Sequence, residues 1–506
     1  MVAAAGAGGS FPLATGSDLL KIGDKMAALR TLKIGLAGVM CTPFRGDKER
    51  YFAEGWKALS SLQETAGFEL KVIEKGIYTL EEAQQAADAL SQWGADFILI
   101  QSSSFAAGEF IRPFAASQIR LGLWGVPEGE PSSEGGLPLN SFTGVNLYNS
   151  LLKTRLEEYP HPVKWFFGSG ENPFFKERFK ITVQALRALV NLKGSRIGLA
   201  GGVAPGFDNL TVDPALLKNK LGVDVVELDF DAVLKRAQTL EDRKIIDAVK
   251  KSFLQPNVNF NAHLSGQLEK LSRLQIAYSQ FAQEEGLNAF AISCWPRFQS
   301  DYGVAVCSLL GQLNTLGVPA ACEGDVPAAV SMLALSLLSN GAVTTLMDLV
   351  TLDEEDDSVL LWHCGPTSPL LADERGVRMN SLWLFDQPAA QPVGLHNDLI
   401  LKAGKVTVAG FTADFERALV LEGEIDPQKP SYKGSSGWLK QVHMRGKRLR
   451  ALDLAETLLS SGFQHHYPLV YGQLENAFLE MAAWVDVAEI SPRTYTTYLK
   501  PQGTIC

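Results

Sequence analysis

The chain has 506 residues, which at roughly 150 residues per domain predicts about three domains. Hydrophobic residues make up 46% of it and charged residues 20%, a balance that is typical of folded globular proteins and excludes a disordered or fibrous chain. The net charge of −10 argues against a general nucleic-acid binder, because neutralising phosphates requires a clustered excess of Lys and Arg.

The cysteine spacing and the hydropathy predict a cytoplasmic protein with no membrane partner. The six cysteines include no C-x-x-C pair, so neither a zinc ribbon nor a disulfide framework is indicated. The longest apolar stretch, residues 326–339, is shorter than the roughly 20 residues of a membrane-spanning helix. Residues 1–17 are rich in Ala, Gly and Ser and lack the apolar core of a secretion signal, so we expect the first 30 residues to be a disordered tail.

Alternating apolar patterns predict a doubly wound sheet at the start of the chain. Residues 32–40 form a short apolar run that is typical of a buried parallel strand. Two further strands, each preceded by a segment with helical spacing, follow up to residue 101 and complete a β-α-β-α-β order. Open parallel sheets bind ligands beyond the carboxyl ends of their strands, so Ser103, just after the third strand, is a predicted substrate contact.

A second sheet is predicted from residue 195, where the sequence SRIGLAGGV echoes the first strand. The glycines there do not match G-x-G-x-x-G, so they do not predict a dinucleotide site. After about residue 320, a strong helix capped by Asp325 is followed by short β-like runs, which indicates a separate domain. The predicted fold is therefore α/β, with two doubly wound Rossmann-like domains followed by a more β-rich α+β C-terminal domain. The predicted segments are a tail at 1–30, α/β domains at 31–190 and 191–320, and a metal-binding, catalytic domain at 321–506.

Polar residues flank predicted elements at four places in the last third of the chain. Glu323 lies just before the predicted helix, Asp348 and His363 each end an apolar run, and His465-His466 follow a turn. Each of these residues alone is also typical of a hydrogen-bonded structural residue. Together, two carboxylates and one or two imidazoles form a mixed oxygen and nitrogen set that suits Mn²⁺, with Mg²⁺, Co²⁺ or Zn²⁺ as alternatives.

Several short blocks occur in a fixed order in the second half of the chain. They are CWP at 294–296, FQ at 298–299, GVPAACEGD at 317–325, HCG at 363–365 and HH at 465–466. On these blocks the chain resembles the L-fucose and L-arabinose isomerases, and particularly the fucose isomerase-like proteins. The resemblance in order and layout covers nearly the whole chain from about residue 30, and the Cys-Glu-Gly-Asp block is its specific signal.

The resemblance implies a role for each polar residue. Glu323 and Asp348 are expected to ligate the metal and to act as the acid/base pair, and His466 is expected to be the late ligand. His363 fits the four-ligand pattern of the arabinose type, whereas the fucose type uses three ligands. Asp348 instead fits the fucose type, since the arabinose type has Glu at this position. The chain is thus intermediate between the two types.

The implied reaction is the interconversion of an aldose and a ketose by proton transfer between C2 and C1 through an enediol. The expected substrate is a pentose, a deoxyhexose or a modified hexose such as sulfoquinovose. Trp295, Arg297 and Gln299 are predicted to contact it, with Arg297 the candidate partner for an anionic group. A homo-oligomer, either a hexamer or a trimer, is also implied. A non-catalytic sugar-binding or sensory protein and another metal-dependent sugar lyase or epimerase remain alternatives.

Overall fold

The computed structural model describes residues 29–131, 135–382 and 393–499. The predicted tail lies outside these ranges except for its last two residues. The described chain contains two parallel sheets and one larger mixed sheet. This architecture confirms the predicted α/β class with its more β-rich C-terminal part, whereas the domain boundaries stay a prediction.

The first sheet is built from alternating strands and helices. In chain order the elements are β1 (Leu32–Val39), α1 (Lys48–Ala66), β2 (Phe68–Val72), α2 (Leu80–Trp93), β3 (Phe97–Ser102), α3 (Ile111–Ala116), β4 (Arg120–Gly125), α4 (Ser141–Thr154), β5 (Lys164–Phe167) and α5 (Pro173–Leu192). The five strands are parallel and lie in the order β2-β1-β3-β4-β5. All but one residue of β1 is buried, as expected for an apolar strand covered by helices on both faces.

The second sheet repeats this plan with four strands. Its region contains β6 (Arg196–Ala200), α6 (Pro214–Leu221), β7 (Asp224–Leu228), α7 (Phe230–Thr239), α8 (Arg243–Phe253), β8 (Val258–Phe260), α9 (Ser265–Glu285), β9 (Ala289–Ile292), α10 (Cys307–Thr315) and β10 (Ala320–Ala321). The parallel order is β10-β9-β6-β7. The short strand β8 does not join this sheet, and it pairs instead with the third one.

The third region is dominated by antiparallel strands. It contains α11 (Val326–Leu338), β11 (Thr344–Asp353), β12 (Ser358–His363), β13 (Val377–Asn380), β14 (His396–Ile400), β15 (Gly404–Phe411), β16 (Arg417–Asp426), β17 (Ser435–Met444), β18 (Lys447–Arg448), α12 (Ala451–Ser461), β19 (His466–Tyr471), α13 (Glu475–Ala483) and β20 (Ala488–Glu489). Six strands pair antiparallel in the order β16-β15-β19-β11-β12-β17, and β17 also pairs with β16. The ring is therefore closed, and these six strands form a small barrel.

Helix α11 joins the second sheet to the barrel. Asp325 caps it by accepting the Ala328 backbone N–H at 2.8 Å, and Pro327 lies in its first turn. All of its residues are buried, and it packs against α5 and against β9, β15 and β19. The helix is thus a rigid support for the residues that immediately precede it.

Two further expectations can be compared with the fold. Asp348 lies within β11 rather than at its end, because the strand continues past the apolar run to Asp353. No helix within the described ranges is both long and apolar enough to cross a membrane.

Candidate functional site

Glu323 lies in a tight turn between β10 and α11, at the carboxyl end of the second parallel sheet. Its φ of 59° is in the left-handed region, which residues with a side chain rarely adopt. A Cβ on the following Gly324 would lie 2.1 Å from the carbonyl oxygen of Gly202, so this position requires glycine. The Ala204 backbone N–H donates to the Glu323 carbonyl at 2.9 Å, which fastens the loop after β6 to this turn. Such local strain is typical of functional sites.

Asp348 and His466 approach the same place from the barrel. They lie directly opposite each other on the antiparallel strands β11 and β19. Opposite residues in such a pair have adjacent Cβ atoms, which explains why two side chains so distant in sequence meet. Nε2 of His466 lies 3.8 Å from Oδ1 of Asp348 and 3.6 Å from Oε2 of Glu323. The structure therefore places His466 next to each of the two predicted carboxylate ligands.

The orientation of the His466 ring is set by its other nitrogen. Nδ1 lies 2.8 Å from Oδ2 of Asp325, and both side chains are fully buried. A carboxylate only accepts hydrogen bonds, so Nδ1 must carry the proton and a neutral ring has its lone pair on Nε2. That lone pair is directed toward Glu323 and Asp348.

His465 extends the cluster toward solvent. Its Nε2–H donates to Oε2 of Glu323 at 3.2 Å, and 38% of its side chain is exposed. Burial raises the pKa of Glu323, but the hydrogen bond from His465 and the nearby imidazoles outweigh this effect and leave that pKa below its usual range. The same hydrogen bond raises the pKa of His465. Glu323 is thus a carboxylate near neutral pH.

His363, the fourth predicted ligand, is differently placed. It stacks on His466 with ring centroids 5.5 Å apart, but its Nδ1 accepts the Cys364 backbone N–H at 2.7 Å. This bond places the proton of a neutral ring on Nε2, which lies 3.2 Å from Sγ of Cys322. His363 therefore has both nitrogens engaged, and its role as a ligand stays a prediction.

The cluster has the properties of a divalent-metal site. Oδ1 of Asp348 and Nε2 of His466 are buried and have no hydrogen-bond partner among the described residues. Ligand atoms about 2.1 Å from one ion lie roughly 3 to 4 Å from each other, which is the spacing of His466 to both carboxylates. Ligating atoms of Glu323, His465 and His466 also lie within 4.8 Å of one another, as do those of Cys322, His363 and His466. The first combination of oxygen and nitrogen ligands suits a hard cation, whereas the second suits a thiophilic one.

Among the predicted substrate-binding residues in and after the CWP block, Trp295 is linked to this cluster through Phe207. Trp295 packs edge-to-face on Phe207 at 6.3 Å, and Phe207 in turn lies 5.3 Å from the His465 ring. Gln299 donates to the Cys294 carbonyl at 3.1 Å, and its Oε1 is a buried atom with no partner among the described residues. Trp295 is therefore one aromatic ring away from the site.

Arg297 and Ser103 have other partners. The exposed Arg297 guanidinium pairs with Asp231 and with Asp301, the latter at 2.9 Å. Ser103 is buried after β3 of the first sheet, where its hydroxyl donates to Oε1 of Gln101 at 2.7 Å. Their contacts within this chain lie away from Glu323 and His466, and both stay predicted substrate contacts.

The sequence did not reveal the roles of three residues in this cluster. Asp325 was expected only to cap a helix, although it lies two residues after Glu323 in the specific block. The sequence assigns a role only to His466 of the doublet, so it does not predict that His465 pairs with Glu323. Phe207 lies in a glycine-rich loop with no motif of its own, and no signal in the sequence placed it near His465.

Fold and site together define a class of protein. An α/β scaffold presents an ionised carboxylate, a second carboxylate and an imidazole lone pair in one cluster, beside an aromatic side chain. Such a cluster offers acid/base groups and cation ligands next to a surface suited to a small polar ligand.

Comparison with known proteins gives the family. The sulfoquinovose isomerase of Priestia megaterium is 30% identical over 424 residues, which cover 82% of this chain and 89% of that protein. The sulfoquinovose isomerase of Alkalicoccus urumqiensis is 30% identical over 398 residues, covering 76% and 84%, and that of a Clostridium species is 25% identical over 427 residues, covering 81% and 88%. The chain belongs to the sulfoquinovose isomerase family and is therefore an aldose-ketose isomerase.

Two other comparisons add nothing to this assignment. No protein-family model matches the sequence. A solute-binding protein of an ABC transporter from Agrobacterium vitis, solved with alpha-D-tagatopyranose, has 13% identity and a TM-score of 0.16 over 57% of this chain and 90% of its own, and so low a score supports no argument.

Proposed function

We propose that this chain interconverts sulfoquinovose and the corresponding ketose, leaving the sulfonate unchanged, and that Glu323, Asp348 and His466 form its catalytic centre. The relatives named for this activity cover most of the chain, which supports the substrate. The single observation that carries the site is the convergence of these three side chains, with one buried oxygen and one buried nitrogen left without a partner in the described structure.

Glu323 is the proposed base. An enediol route requires a group that removes the proton from C2 and returns it to C1, and a carboxylate ionised near neutral pH serves this purpose. The strained turn and the hydrogen bond from His465 hold this carboxylate in place. Asp348, whose Oδ1 lies 3.8 Å from Nε2 of His466, is the proposed second acid/base group for the hydroxyl protons on C1 and C2.

The same three residues are the proposed ligands of a divalent cation, for which Mn²⁺ fits the mixed oxygen and nitrogen set. Such an ion, when bound, supplies positive charge that stabilises the developing enediolate. His466 contributes its Nε2 lone pair, and the two carboxylates contribute oxygen. His363 is proposed only as a neighbour of this set, because both of its ring nitrogens are engaged.

Aromatic side chains form the proposed sugar-binding wall. Phe207 lies next to His465 and Trp295 packs on Phe207, and such aromatic surfaces pack against the C–H groups of a sugar. Oε1 of Gln299, which has no partner among the described residues, can accept a hydrogen bond from a sugar hydroxyl. Arg297 remains the proposed partner of the sulfonate, and binding the sulfonate would require it to exchange or share its two carboxylate partners.

A closed homo-oligomer, either a hexamer or a trimer, is proposed as the working form. Four aromatic side chains on or near the edge strand β5 are exposed, namely Phe142 (55%), Trp165 (48%), Phe167 (42%) and Phe174 (68%). They line a cavity of about 800 Å³. Exposed aromatic surface of this kind is typical of contacts between subunits. Light scattering that showed an active monomer would contradict this proposal.

The proposed location is the cytoplasm. The five cysteines in the described ranges, Cys41, Cys294, Cys307, Cys322 and Cys364, are all free thiols, as expected in a reducing compartment.

The substrate and the reaction are tested together by NMR. Purified protein with Mn²⁺ is incubated with sulfoquinovose and, separately, with neutral aldohexoses and deoxyhexoses, and formation of a ketose of equal mass is followed. We expect turnover of sulfoquinovose, loss of turnover in excess chelator and recovery with Mn²⁺. In deuterated water, label is expected at C1 or C2 of the product, because a proton-transfer route exchanges with solvent whereas a hydride shift does not. Full activity in chelator, with no metal found by elemental analysis, would remove the metal assignment.

A further inference from the structure

Asp325 is a fully buried carboxylate with two separate partners. Its Oδ1 accepts the Ala328 backbone N–H at 2.8 Å and so caps α11, and its Oδ2 lies 2.8 Å from Nδ1 of His466. Helix capping requires a single acceptor and is met equally well by Ser or Asn. The cap therefore does not explain why a second, buried acceptor oxygen is directed at an imidazole.

The second contact decides which His466 nitrogen carries a proton. With the Nδ1 proton directed at Oδ2, the lone pair of a neutral ring is on Nε2, which lies 3.6 Å from Oε2 of Glu323 and 3.8 Å from Oδ1 of Asp348. The opposite tautomer would place an N–H between those carboxylates, where it could not ligate a cation. Control of this tautomer needs an acceptor that cannot donate, which at this size is a carboxylate.

We propose that Asp325 is a positioning residue that holds His466 with Nδ1 protonated and Nε2 available for the cation. This inference rests on the proposed metal-binding role of His466. One side chain thus couples the start of α11, which carries no part of the chemistry, to a ligand on the barrel strand β19.

The test replaces Asp325 by Ser. Serine caps a helix as well as Asp does, but its side chain is too short to reach His466 in the same way, so the cap is kept and the acceptor is removed. The matched control is Asp242→Ser, because Asp242 caps α8 at the protein surface through the Lys244 and Ile245 backbone N–H groups. Affinity for Mn²⁺ is measured by the EPR signal of the free ion. We expect Asp325→Ser to bind Mn²⁺ about 10- to 100-fold more weakly, and Asp242→Ser to bind it like wild type.

A second measurement does not depend on metal. Spectra of ¹⁵N-histidine-labelled, metal-free protein show whether each ring nitrogen carries a proton, and the His466 signals are those lost in His466→Ala. Wild-type protein is expected to have Nδ1 of His466 protonated, and Asp325→Ser is expected to lose this preference. An unprotonated Nδ1 in wild type, or equal Mn²⁺ affinity of wild type and Asp325→Ser, would overturn the inference. A wild-type protein that binds no Mn²⁺ would overturn the proposed metal site, whereas equal Mn²⁺ binding by wild type and Asp325→Ser would overturn only the role of Asp325. The two failures are therefore distinguishable.

Discussion

Polar side chains lie at strand ends in both the first sheet and the seam between the second sheet and the barrel, where Glu323, Asp325, Asp348 and His466 lie. The unpartnered buried atoms of the described residues differ in kind: Gln101 of the first sheet leaves a donor, Nε2, whereas Asp348 and His466 of the seam leave an oxygen and a ring nitrogen. After β3, the hydroxyls of Ser102, Ser103 and Ser104 donate to the Ser104 carbonyl, to Gln101 and to the Phe105 carbonyl. In the seam, Oδ1 of Asp348 and Nε2 of His466 have no partner within the part of the chain that the structure describes. Polar residues at a strand end are therefore not enough to indicate a ligand site.

The difference has a physical cause. A serine hydroxyl is short and finds an acceptor in its own loop, so it is satisfied by local structure. The seam residues come from three separate elements, and a buried polar atom without a partner costs about 1 to 3 kcal/mol. Packing of α11 against the barrel holds these atoms in place despite this free-energy cost, and a bound ligand would offset the cost. The following four predictions test the contrast between satisfied and unsatisfied polar groups.

The largest effect is expected for Glu323→Gln. Glutamine keeps the shape and an oxygen but cannot shuttle a proton, so kcat should fall by about 10²- to 10⁴-fold while Mn²⁺ binding falls less. Steady-state kinetics at saturating Mn²⁺ measures the first effect and EPR the second. The control is Glu480→Gln, which removes the charge of a partly buried glutamate on α13 whose partners are Lys164 and Thr182. Near-normal turnover of Glu323→Gln would restrict this carboxylate to a structural or ligand role.

The two stacked histidines should respond differently to removal. His466→Ala deletes an unpaired lone pair, so Mn²⁺ affinity should fall by at least about 10- to 100-fold, the loss that is typical when a residue supporting a metal ligand is removed. Added Mn²⁺ should restore part of the activity. His363→Ala removes a ring whose nitrogens already contact Cys322 and Cys364, so its Mn²⁺ affinity should fall less. Equal losses in both variants would show that His363 is a ligand, as in the four-ligand pattern.

The rigidity of the seam is tested by a cavity in α11. Leu335 is fully buried in this helix, so Leu335→Ala should lower the free energy of unfolding by about 2 to 5 kcal/mol. Leu459 on α12 is 83% exposed, and Leu459→Ala is expected to change it by less than about 0.5 kcal/mol. Both values come from urea denaturation. A small effect of Leu335→Ala would mean that α11 is not the support proposed here.

The smallest effect is expected at Ser103. Its hydroxyl already donates to Gln101 and can only accept from a sugar, and one hydrogen bond contributes about 0.5 to 1.5 kcal/mol, or about tenfold at most. Ser103→Ala should therefore raise KM for sulfoquinovose by less than about tenfold and leave kcat near wild type. A larger increase in KM would place Ser103 among the main sugar contacts and would break the contrast drawn above.

Much of the fold followed from local patterns. The apolar run at the start of β1, the repeat of its sequence in β6 and the Asp325 cap of α11 each depend on residues close together in the chain. The ring closure of the barrel did not follow, because it depends on the pairing of β16 with β17, whose register includes a bulge. Likewise, the sequence predicts Asp348 at the end of an apolar run, because a charged residue interrupts the run, whereas β11 continues through Leu349 and Val350 to Asp353.

The sequence by itself determined the α/β class, the position of the central helix and the chemical types of the ligands, because periodicity, capping and side-chain chemistry are local properties. Only the tertiary structure decided which of these groups meet. His466 faces Asp348 because of the register of β11 with β19, and it bonds to Asp325, 141 residues away in the chain. The same packing leaves Nε2 of His466 without a partner among the described residues and engages both ring nitrogens of His363, although both residues are histidines. Hydrogen-bond partners depend on three-dimensional neighbours, which no local pattern specifies.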